Sequence, residues 1–367
     1  MADLIRPPDA SDLMGPIRLG PNQPADRFYR GGEQIAAFRG LADSAPFTPE
    51  DWVASTTSIF GEPPAGLTRL PSGWLLTDEL AADPVRWLGP EHVARRGADP
   101  GLLVKLLDAG ERLPVHVHPH RDFAAQHLGL AHGKAEAWVL LRPAVVHLGW
   151  RRDVAADELA YWVERQDAEA MLAATHQLSV AAGATVYVPP GCPHAIGAGA
   201  LLVELQEPTD LSILLEWRDF ALDGTKAGHL GLGFDVALQA VDRAALSSAR
   251  LAELRRPADA EPPLPPEADS YFRLERLRLS PNGPGEARLD QGYSVLVVVS
   301  GSARLEPVSG SWAPLDVTAG DTVLTPHATG DMMARGDGVL LRCRPPALPG
   351  EESRVGQRAG SMPEVVW

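Results

Sequence analysis

Two histidines stand two positions apart in the segment "GERLPVHVH", residues 110–118, which has the pattern Gly-x5-His-x-His. The alternation of apolar and polar residues in this segment is typical of a half-buried strand. Side chains two apart on a strand point to the same face, so His116 and His118 can be directed at one point. Residues 116–138 hold five of the chain's eleven histidines. The stretch is therefore either a metal site on paired strands or a solvated loop rich in histidine.

A second motif, "GATVYVPPGCPH" at residues 183–194, has the pattern Gly-x5-Pro-x-Gly-x2-His. Here a strand ends in a Pro/Gly turn that can direct His194 inward. The two patterns together resemble those of the cupin superfamily, a double-stranded antiparallel barrel. The resemblance implies that His116, His118, Glu136 and His194 are metal ligands. Three imidazoles and a carboxylate suit one zinc ion per chain, with iron(II) or manganese as alternatives.

Other candidate ligands do not fit these patterns. His120, His127 and His132 match no ligand position, and we expect them in a solvent-facing loop. Cys192 would crowd a full ligand set, so we interpret it as structural. His327 has no His-x-His partner and is interpreted as a non-ligand.

The composition limits the classes of function. The chain has 367 residues and a formal net charge of −15, which argues against a general nucleic-acid or anionic-membrane surface. Two cysteines give no disulfide framework. We find no signal peptide and no apolar run long enough to span a membrane, and we expect a cytoplasmic, soluble protein.

The chain alternates between strand-like and helical regions. Thirty-four prolines and thirty-five glycines favour a strand-rich fold with many turns. We predict a helix over 76–89 with Thr77 as its N-cap, two helices within 153–178 and further helix near 235–256. The turns "GATVYVP" (183–189) and "GDTVLTP" (320–326) share a Gly-x5-Pro pattern, which indicates two copies of one fold.

We therefore predict a mainly β protein with two cupin-type double-stranded β-helix (jelly-roll) domains and additional helices. Residues 1–255 form the metal-binding cupin domain, with an N-terminal extension and inserted helices. Five prolines make residues 256–269 an extended linker. Residues 270–345 form a second, metal-free cupin-like domain, and residues 346–367 form a tail.

The region 101–206 narrows the resemblance further. "GLLVKLLDAGERLPVHVHP", "GKAEAW" and "VYVPPGCPHAIGAGALLVELQ" resemble the type I phosphomannose isomerase family. The resemblance extends less specifically to "RFYRGGEQIAAF" (27–38) and "PEDWVASTTS" (49–58). It implies a zinc-dependent interconversion of mannose 6-phosphate and fructose 6-phosphate, in which a proton moves between C1 and C2 through an enediol.

The same resemblance assigns residues to roles. Lys105 and Lys134 match the family's lysines and imply substrate contact or proton handling, although a structural ion pair would also explain Lys105. Glu204 matches the Glu-x-Gln strand and implies that it orients substrate or a ligand. The chain departs from the family at three positions, with His116 for a glutamine ligand, Pro114 for a serine and Leu214 for an arginine. Arg218 could replace that arginine if the strand shifts register.

Three hypotheses follow. The first is a metal-dependent aldose–ketose isomerase acting on a hexose phosphate or related sugar, as a monomer or homodimer. The second is an iron-dependent cupin oxygenase, which leaves both lysines unexplained. The third is a non-catalytic sugar-binding or regulatory protein that keeps the metal, a hypothesis motivated by Leu214.

Overall fold

The protein is described by a computed structural model that covers residues 14–281, 283–310 and 312–348. From residue 349 onward, the predicted tail lies outside the described residues. Strands dominate the chain, in agreement with the predicted mainly β class. They are β1 (Ile17–Leu19), β2 (Glu50–Val53), β3 (Leu103–Asp108), β4 (His116–Val117), β5 (Glu136–Leu140), β6 (Ala144–Trp150), β7 (Thr175–Val180), β8 (Thr185–Val188), β9 (His194–Ile196), β10 (Leu201–Gln206), β11 (Ile213–Leu214), β12 (Arg255–Arg256), β13 (Arg273–Leu279), β14 (Glu286–Leu289), β15 (Ser294–Pro307), β16 (Leu315–Thr318), β17 (Thr322–Thr325) and β18 (Met332–Arg344).

Short helices fill the connections between the strands. They are α1 (Glu33–Arg39), α2 (Leu76–Ala82), α3 (Pro84–Leu88), α4 (Pro90–Arg96), α5 (Arg121–Leu128), α6 (Ala156–Arg165), α7 (Ala168–Ala174), α8 (Gly224–Ala227), α9 (Phe234–Ala237) and α10 (Ser248–Leu254), with 3-10 turns at Leu238–Ala240, Pro266–Ser270 and His327–Thr329.

The helix predicted over 76–89 is two helices. Leu75, not Thr77, occupies the N-cap of α2, and Thr77 lies inside the helix. Pro84 lacks the N–H that would continue α2, so the chain starts α3 there. The Asp83 side chain caps the new helix by accepting a hydrogen bond from the Arg86 N–H.

Two antiparallel sheets form the part of the chain that carries the histidines. One has six strands in the order β12-β8-β5-β10-β3-β2, and the other has five in the order β11-β4-β9-β6-β7. Apolar side chains from both sheets, such as Val139 on β5 and Leu148 on β6, belong to one buried cluster. Because Glu136 lies on the first sheet and His116 and His194 lie on the second, the predicted ligands meet between them.

A second apolar cluster covers the five-stranded sheet with helices. In α6 the buried residues Leu159, Trp162 and Val163 have the i, i+3, i+4 spacing of one helix face. They pack with Trp150 and Met171 in this cluster. The helical periodicity within 153–178 therefore corresponds to α6 and α7, and β7 begins directly after them.

A seven-stranded sheet contains most of the C-terminal region, in the order β1-β17-β15-β18-β13, with β14 on β18 and β16 on β15. The two Gly-x5-Pro turns begin with Gly183 and Gly320, which both have left-handed φ angles of 77° and 91°. β1 pairs with β17, so Ile17–Leu19 belong to this sheet and not to the first domain. With that change, we retain the two predicted cupin-type units as a proposal.

The proline-rich segment 256–269 is packed and is not a free linker. The buried Arg276 donates hydrogen bonds to the carbonyls of Ala258, Ala260 and Gly183. Thr185 on β8 donates to the Pro263 carbonyl. The segment therefore joins the six-stranded sheet to β13 through its carbonyl groups, which proline retains although it lacks an N–H.

Replacing Arg39 with methionine is expected to lower the free energy of unfolding by about 3–5 kcal/mol, because it leaves a buried carboxylate without its cation. Arg39 Nε and Nη2 each lie 2.6 Å from Asp51 Oδ2, and Nη1 donates to Thr322 Oγ1 at 2.9 Å. Urea unfolding measures the loss. Arg95→Met, which removes an exposed arginine, is the control and should change stability little. Equal stability of both variants would contradict the expectation.

Candidate metal centre

The sequence places three imidazoles on neighbouring strand ends. His116 on β4 is directly opposite His194 on β9 in the sheet register, and His118 follows β4. The ring centroids of the three histidines lie 4.1–4.9 Å apart. All three side chains are buried, and His194 has no exposed surface. The two motifs of the sequence therefore converge on one point inside the protein.

Each imidazole is held in the tautomer that metal binding requires. His116 Nδ1 lies 2.9 Å from the Pro114 carbonyl, His118 Nδ1 lies 2.7 Å from the Leu211 carbonyl and His194 Nδ1 lies 2.9 Å from the Cys192 carbonyl. A carbonyl can only accept, so each Nδ1 carries the proton. The three Nε2 atoms consequently present lone pairs to the interior, as in histidines that ligate a metal.

Glu136 completes the donor set and shows why a cation fits. Its carboxylate oxygens lie 2.9 Å from His118 Nε2 and 3.2 Å from His194 Nε2. Glu136 Oε2 and His194 Nε2 are buried and make no hydrogen bond. Lone pairs that face each other at these distances repel unless a positive charge lies between them. Tetrahedral bonds of about 2.0–2.1 Å place ligand atoms roughly 3.3 Å apart, close to the separations here.

The protonation states also suit a metal. Burial and the neighbouring histidines His194 and His118 lower the pKa of His116 well below its usual value. Burial, followed by the charge of Lys134, lowers the pKa of His118 to about 3. Burial opposes the charge of Glu136, but Lys134 and the histidines outweigh it and hold its pKa well below the ordinary range. Neutral imidazoles and an ionised carboxylate are the forms that bind divalent ions.

Lys134 lies against this donor set. Its Nζ is 3.1 Å from Glu136 Oε2 and 3.0 Å from His118 Nε2, and the residue is buried. Burial lowers the pKa of Lys134, but Glu136, Glu204 and Asp210 outweigh it and raise the pKa. Lys134 therefore places a positive charge at the edge of the metal site.

Beside the metal site lies a group of five charged residues, the charged ring, formed by Arg27, Glu50, Lys105, Glu204 and Asp210. Lys105 Nζ is 3.6 Å from Glu50, 3.7 Å from Glu204 and 3.9 Å from Asp210, and it lies 4.6 Å from the centre of the Trp52 ring. The position of Lys105 is compatible with both interpretations from the sequence, namely a structural ion pair and a residue at the substrate site. It has ion-pair partners, and it lines the same cleft as the ligands.

Glu204 is the carboxyl group of the charged ring whose pKa is raised. Its side chain is buried on β10, and Trp138 Nε1 donates to both Glu204 Oε2 and Glu136 Oε1. Burial and the charge of Glu136 raise the pKa of Glu204 to about 7, against the opposing effect of Lys134 and Lys105. A carboxyl group with this pKa can give and take a proton near neutral pH.

The sequence patterns predicted no role for Arg27, Glu50 or Asp210. Arg27 Nε is 3.6 Å from Glu50 and Arg27 Nη2 is 3.5 Å from Asp210. Glu50 accepts hydrogen bonds from Tyr29 and Trp52 at 2.5 and 2.6 Å. Segments 27–38 and 49–58 resemble the family, and the Glu-x-Trp pair at Glu50 is the signal that could have indicated this contact.

The predicted replacement of the family arginine by Arg218 is wrong. Leu214 is buried on β11 and lines the cleft, so the register of the strand is not shifted. Arg218 follows the end of β11, is exposed and donates to the Arg165 carbonyl. Arg27 from the N-terminal segment brings a guanidinium to the cleft that Leu214 also lines.

The remaining histidines do not form the predicted loop. Residues 121–128 are helix α5, which includes His127 against the Phe123 ring. His120 is half-exposed and lies 3.8 Å from Asp242. His132 is only 18% exposed, because Nε2 pairs with Asp99 at 2.5 Å and Nδ1 with Glu207 at 3.4 Å. Acidic partners distant in the sequence thus hold His132 in place, which the sequence pattern did not show.

Two other residues were predicted not to be ligands. Cys192 is buried, and burial raises the pKa of its thiol to about 12, which keeps it neutral. Its carbonyl orients His194, as described above. His327 lies in a 3-10 turn, next to Gly89, and Gly89 is the residue between α3 and α4. Within the described residues, the group of three or more potential ligands that can hold an ion is His116, His118 and His194.

His132 gives a pH-dependent contribution to stability. Burial opposes its charge, but hydrogen bonds and charges from Asp99 and Glu207 raise its pKa to about 9. The contribution is complete below about pH 6.5 and is lost as the pH rises through 9. We expect the stability difference between the protein and His132→Gln to shrink by roughly 2 kcal/mol from pH 6 to 10. Urea unfolding at both pH values measures it, and a pH-independent difference would contradict the assignment.

Three imidazoles and one carboxylate converge between two antiparallel sheets, and they form a donor set that can hold one metal ion. No protein-family profile matches the chain. The sequence is 25% identical over 238 residues to mannose-6-phosphate isomerase ManA of Bacillus subtilis, which covers 64% of this chain and 72% of that protein. The resemblance predicted from the sequence is confirmed: the chain is related to curated mannose-6-phosphate isomerases, which are enzymes.

Solved structures show the same fold. The crystal structure of mannose 6-phosphate isomerase from Bacillus subtilis matches with a TM-score of 0.67 at 22% identity, over 90% of this chain and 100% of that one. A mannose 6-phosphate isomerase bound with zinc and yttrium matches with a TM-score of 0.67 at 15% identity, over 91% and 100% of the two chains. In the described part of this chain, no helix is long and apolar enough to cross a membrane.

Proposed function

We propose that the protein is a zinc-dependent aldose–ketose isomerase of the mannose-6-phosphate isomerase type. The observation that carries this proposal is the position of Lys134, with Nζ 3.1 Å from the ligand oxygen of Glu136 in a cleft that also holds Glu204 and Lys105. The fold and the sequence of mannose-6-phosphate isomerases support it. Zinc is supported by the donor set and by the solved relative that contains zinc.

His116, His118, His194 and Glu136 would hold the ion. When bound, it supplies Lewis-acid stabilisation of the negative charge that develops on the sugar oxygens during enolisation. The carbonyls of Pro114, Leu211 and Cys192 keep the imidazoles oriented. This support matters because a ligand set must hold its geometry through the reaction.

Glu204 is the group that moves the proton between C1 and C2. Its pKa of about 7 matches the requirement for a general acid–base at neutral pH. Lys105, 3.7 Å from Glu204, stabilises the carboxylate form. Lys134, whose Nζ lies 3.1 Å from Glu136 Oε2, acts by electrostatic stabilisation of the enediolate.

The charged ring distinguishes this proposal from the two alternatives. An iron-dependent oxygenase would have no use for the buried Lys105 and Lys134. A non-catalytic sugar-binding protein would have no use for a carboxyl group held near pKa 7 beside the metal site. Burying these charges is costly, so their presence in one cleft favours a role in chemistry.

The test is an aldose–ketose assay on zinc-restored protein with phosphorylated and free sugars, including mannose 6-phosphate and mannose. We expect ketose formation, and we expect Glu136→Ala to abolish it. If the zinc-restored protein converts no sugar, the proposal is wrong.

We also propose that the protein acts in the cytoplasm as a monomer or a homodimer. Light scattering on the purified protein measures its mass, and cell fractionation measures its location.

A further inference from the structure

Resting on the proposed isomerase function, we propose that this cleft selects unphosphorylated aldoses and ketoses over their phosphate esters. The inference comes from the charges that line the cleft and from how they are paired. A sugar phosphate carries a dianionic group at the end remote from the reacting carbons, and a site for it needs cations that are free to bind it.

The described residues that line the cleft provide no such cation. The cleft is lined by three cationic side chains, Arg27, Lys105 and Lys134. Four carboxylates, Glu50, Glu136, Glu204 and Asp210, line it as well. Each cation lies within 4 Å of at least one of these carboxylates. Without a metal ion the lining has one more potential negative charge than positive charges, and a divalent ion held by Glu136 would offset that excess.

The balance of positive and negative charges is least favourable to phosphate in the charged ring, away from the metal ligands. The charged ring holds three carboxylates against the two cations Arg27 and Lys105. A phosphate that binds Arg27 would lie beside Glu50 and Asp210, the two carboxylates that Arg27 already contacts. Arg112, next to Leu113 at the cleft, is not free either, because it forms two hydrogen bonds with Glu216. Like charges placed together in this way oppose binding.

The same ring suits neutral hydroxyl groups. The contacts of Lys105 with its three carboxylates are 3.6–3.9 Å, longer than hydrogen bonds. Arg27 Nε is buried and makes no hydrogen bond. Hydroxyls can donate to one of these groups and accept from another, so a polyol can fill positions that the loose ion pairs leave open.

Apolar residues also line the cleft. They are Leu113, Pro114, Ile196 and Leu214, all four buried, and Ser212 adds a hydroxyl group to the lining. The four apolar side chains can pack against the C–H face of a sugar and offer no charge to a phosphate group. The chemistry of the cleft therefore favours a free sugar.

The experiment compares kcat/KM of the zinc-loaded protein for matched pairs, namely hexoses with their 6-phosphates and pentoses with their 5-phosphates. We expect the preferred free sugar to exceed its phosphate ester by at least about tenfold, because like charges oppose the ester. Inorganic phosphate at millimolar concentration should not compete with the sugar.

A preference for phosphate esters would overturn this inference and leave the isomerase proposal intact. Conversion of no sugar in either form would instead overturn both, so the two failures are distinguishable.

A charge-removing variant provides a second readout. Asp210→Asn removes one carboxylate from the ring and releases Arg27 from one of its two partners. We expect it to raise the ratio of kcat/KM for the ester to that for the free sugar by about tenfold. Asp235→Asn, an exposed position outside the cleft, is the matched control and should leave the ratio unchanged. An unchanged ratio in Asp210→Asn would contradict the inference.

Discussion

Replacing Glu136 with glutamine is expected to reduce sugar isomerisation by at least about a thousandfold and to remove most of the bound zinc, since the ion supplies several kcal/mol of charge stabilisation. The carboxylate sits 2.9–3.2 Å from two imidazole lone pairs, and it is the negative ligand of the set. Without its charge, the site keeps three neutral nitrogens beside the cation Lys134, which repels a divalent ion.

The measurement combines metal analysis with an initial-rate assay. Glu91→Gln is the matched control, because Glu91 is an exposed glutamate on α4. A Glu136→Gln protein that still binds one zinc ion per chain and turns over sugar normally would show that Glu136 is not a ligand.

The Glu204→Gln variant is expected to lose about 10²–10⁴ of kcat while it keeps its zinc, because general acid–base catalysis contributes this much. Glutamine preserves the size of the side chain and its hydrogen bond from Trp138 but cannot exchange a proton at C1 or C2. The loss should lie in kcat and not in KM, which separates proton transfer from binding.

The pH profile gives the second readout for Glu204. In the unmodified protein kcat/KM should rise as the pH increases through about 7, where the buried carboxyl group loses its proton and becomes a base. The residual activity of Glu204→Gln should lack this step. A variant with unchanged kcat, or with the same step in its profile, would assign proton transfer to another group.

The metal site was predictable because its signals are local. Gly-x5-His-x-His and Pro-x-Gly-x2-His each occupy fewer than a dozen positions, and strand geometry determines where their side chains point. The family resemblance, and not strand geometry, implied Glu136 as a ligand and Lys134 as its neighbour. In the structure the three histidines lie together, with Glu136 within 3.2 Å of His118 and His194 and Lys134 3.1 Å from Glu136.

The charged ring was less predictable because it depends on contacts between segments far apart in the sequence. Lys105 and Glu204 face each other across β3 and β10, whereas Arg27 reaches them from a loop before α1. No periodicity in residues 14–32 indicates that this loop enters the cleft. The prediction for Arg218 failed for a related reason, since counting along the chain does not reveal that the strand ends at Leu214.

The position of the N-terminal strand β1 was also not predictable from local sequence. Ile17–Leu19 pair with β17, about 300 positions later, through only three residues. A three-residue strand has too few positions for an alternation to be visible. Local sequence therefore predicted the strands that form the site, and long-range packing determined which segments complete it.

The central claim is that zinc held by His116, His118, His194 and Glu136 supports aldose–ketose isomerisation. The most direct measurement follows the aldose to ketose conversion by NMR in D₂O, on protein that has been stripped of metal and then reloaded with zinc. We predict no conversion by the stripped protein, and ketose formation with deuterium exchange at C1 or C2 after zinc is restored. Zinc-loaded protein that binds one ion per chain yet neither forms ketose nor exchanges these protons, with free or phosphorylated sugars, would contradict the account.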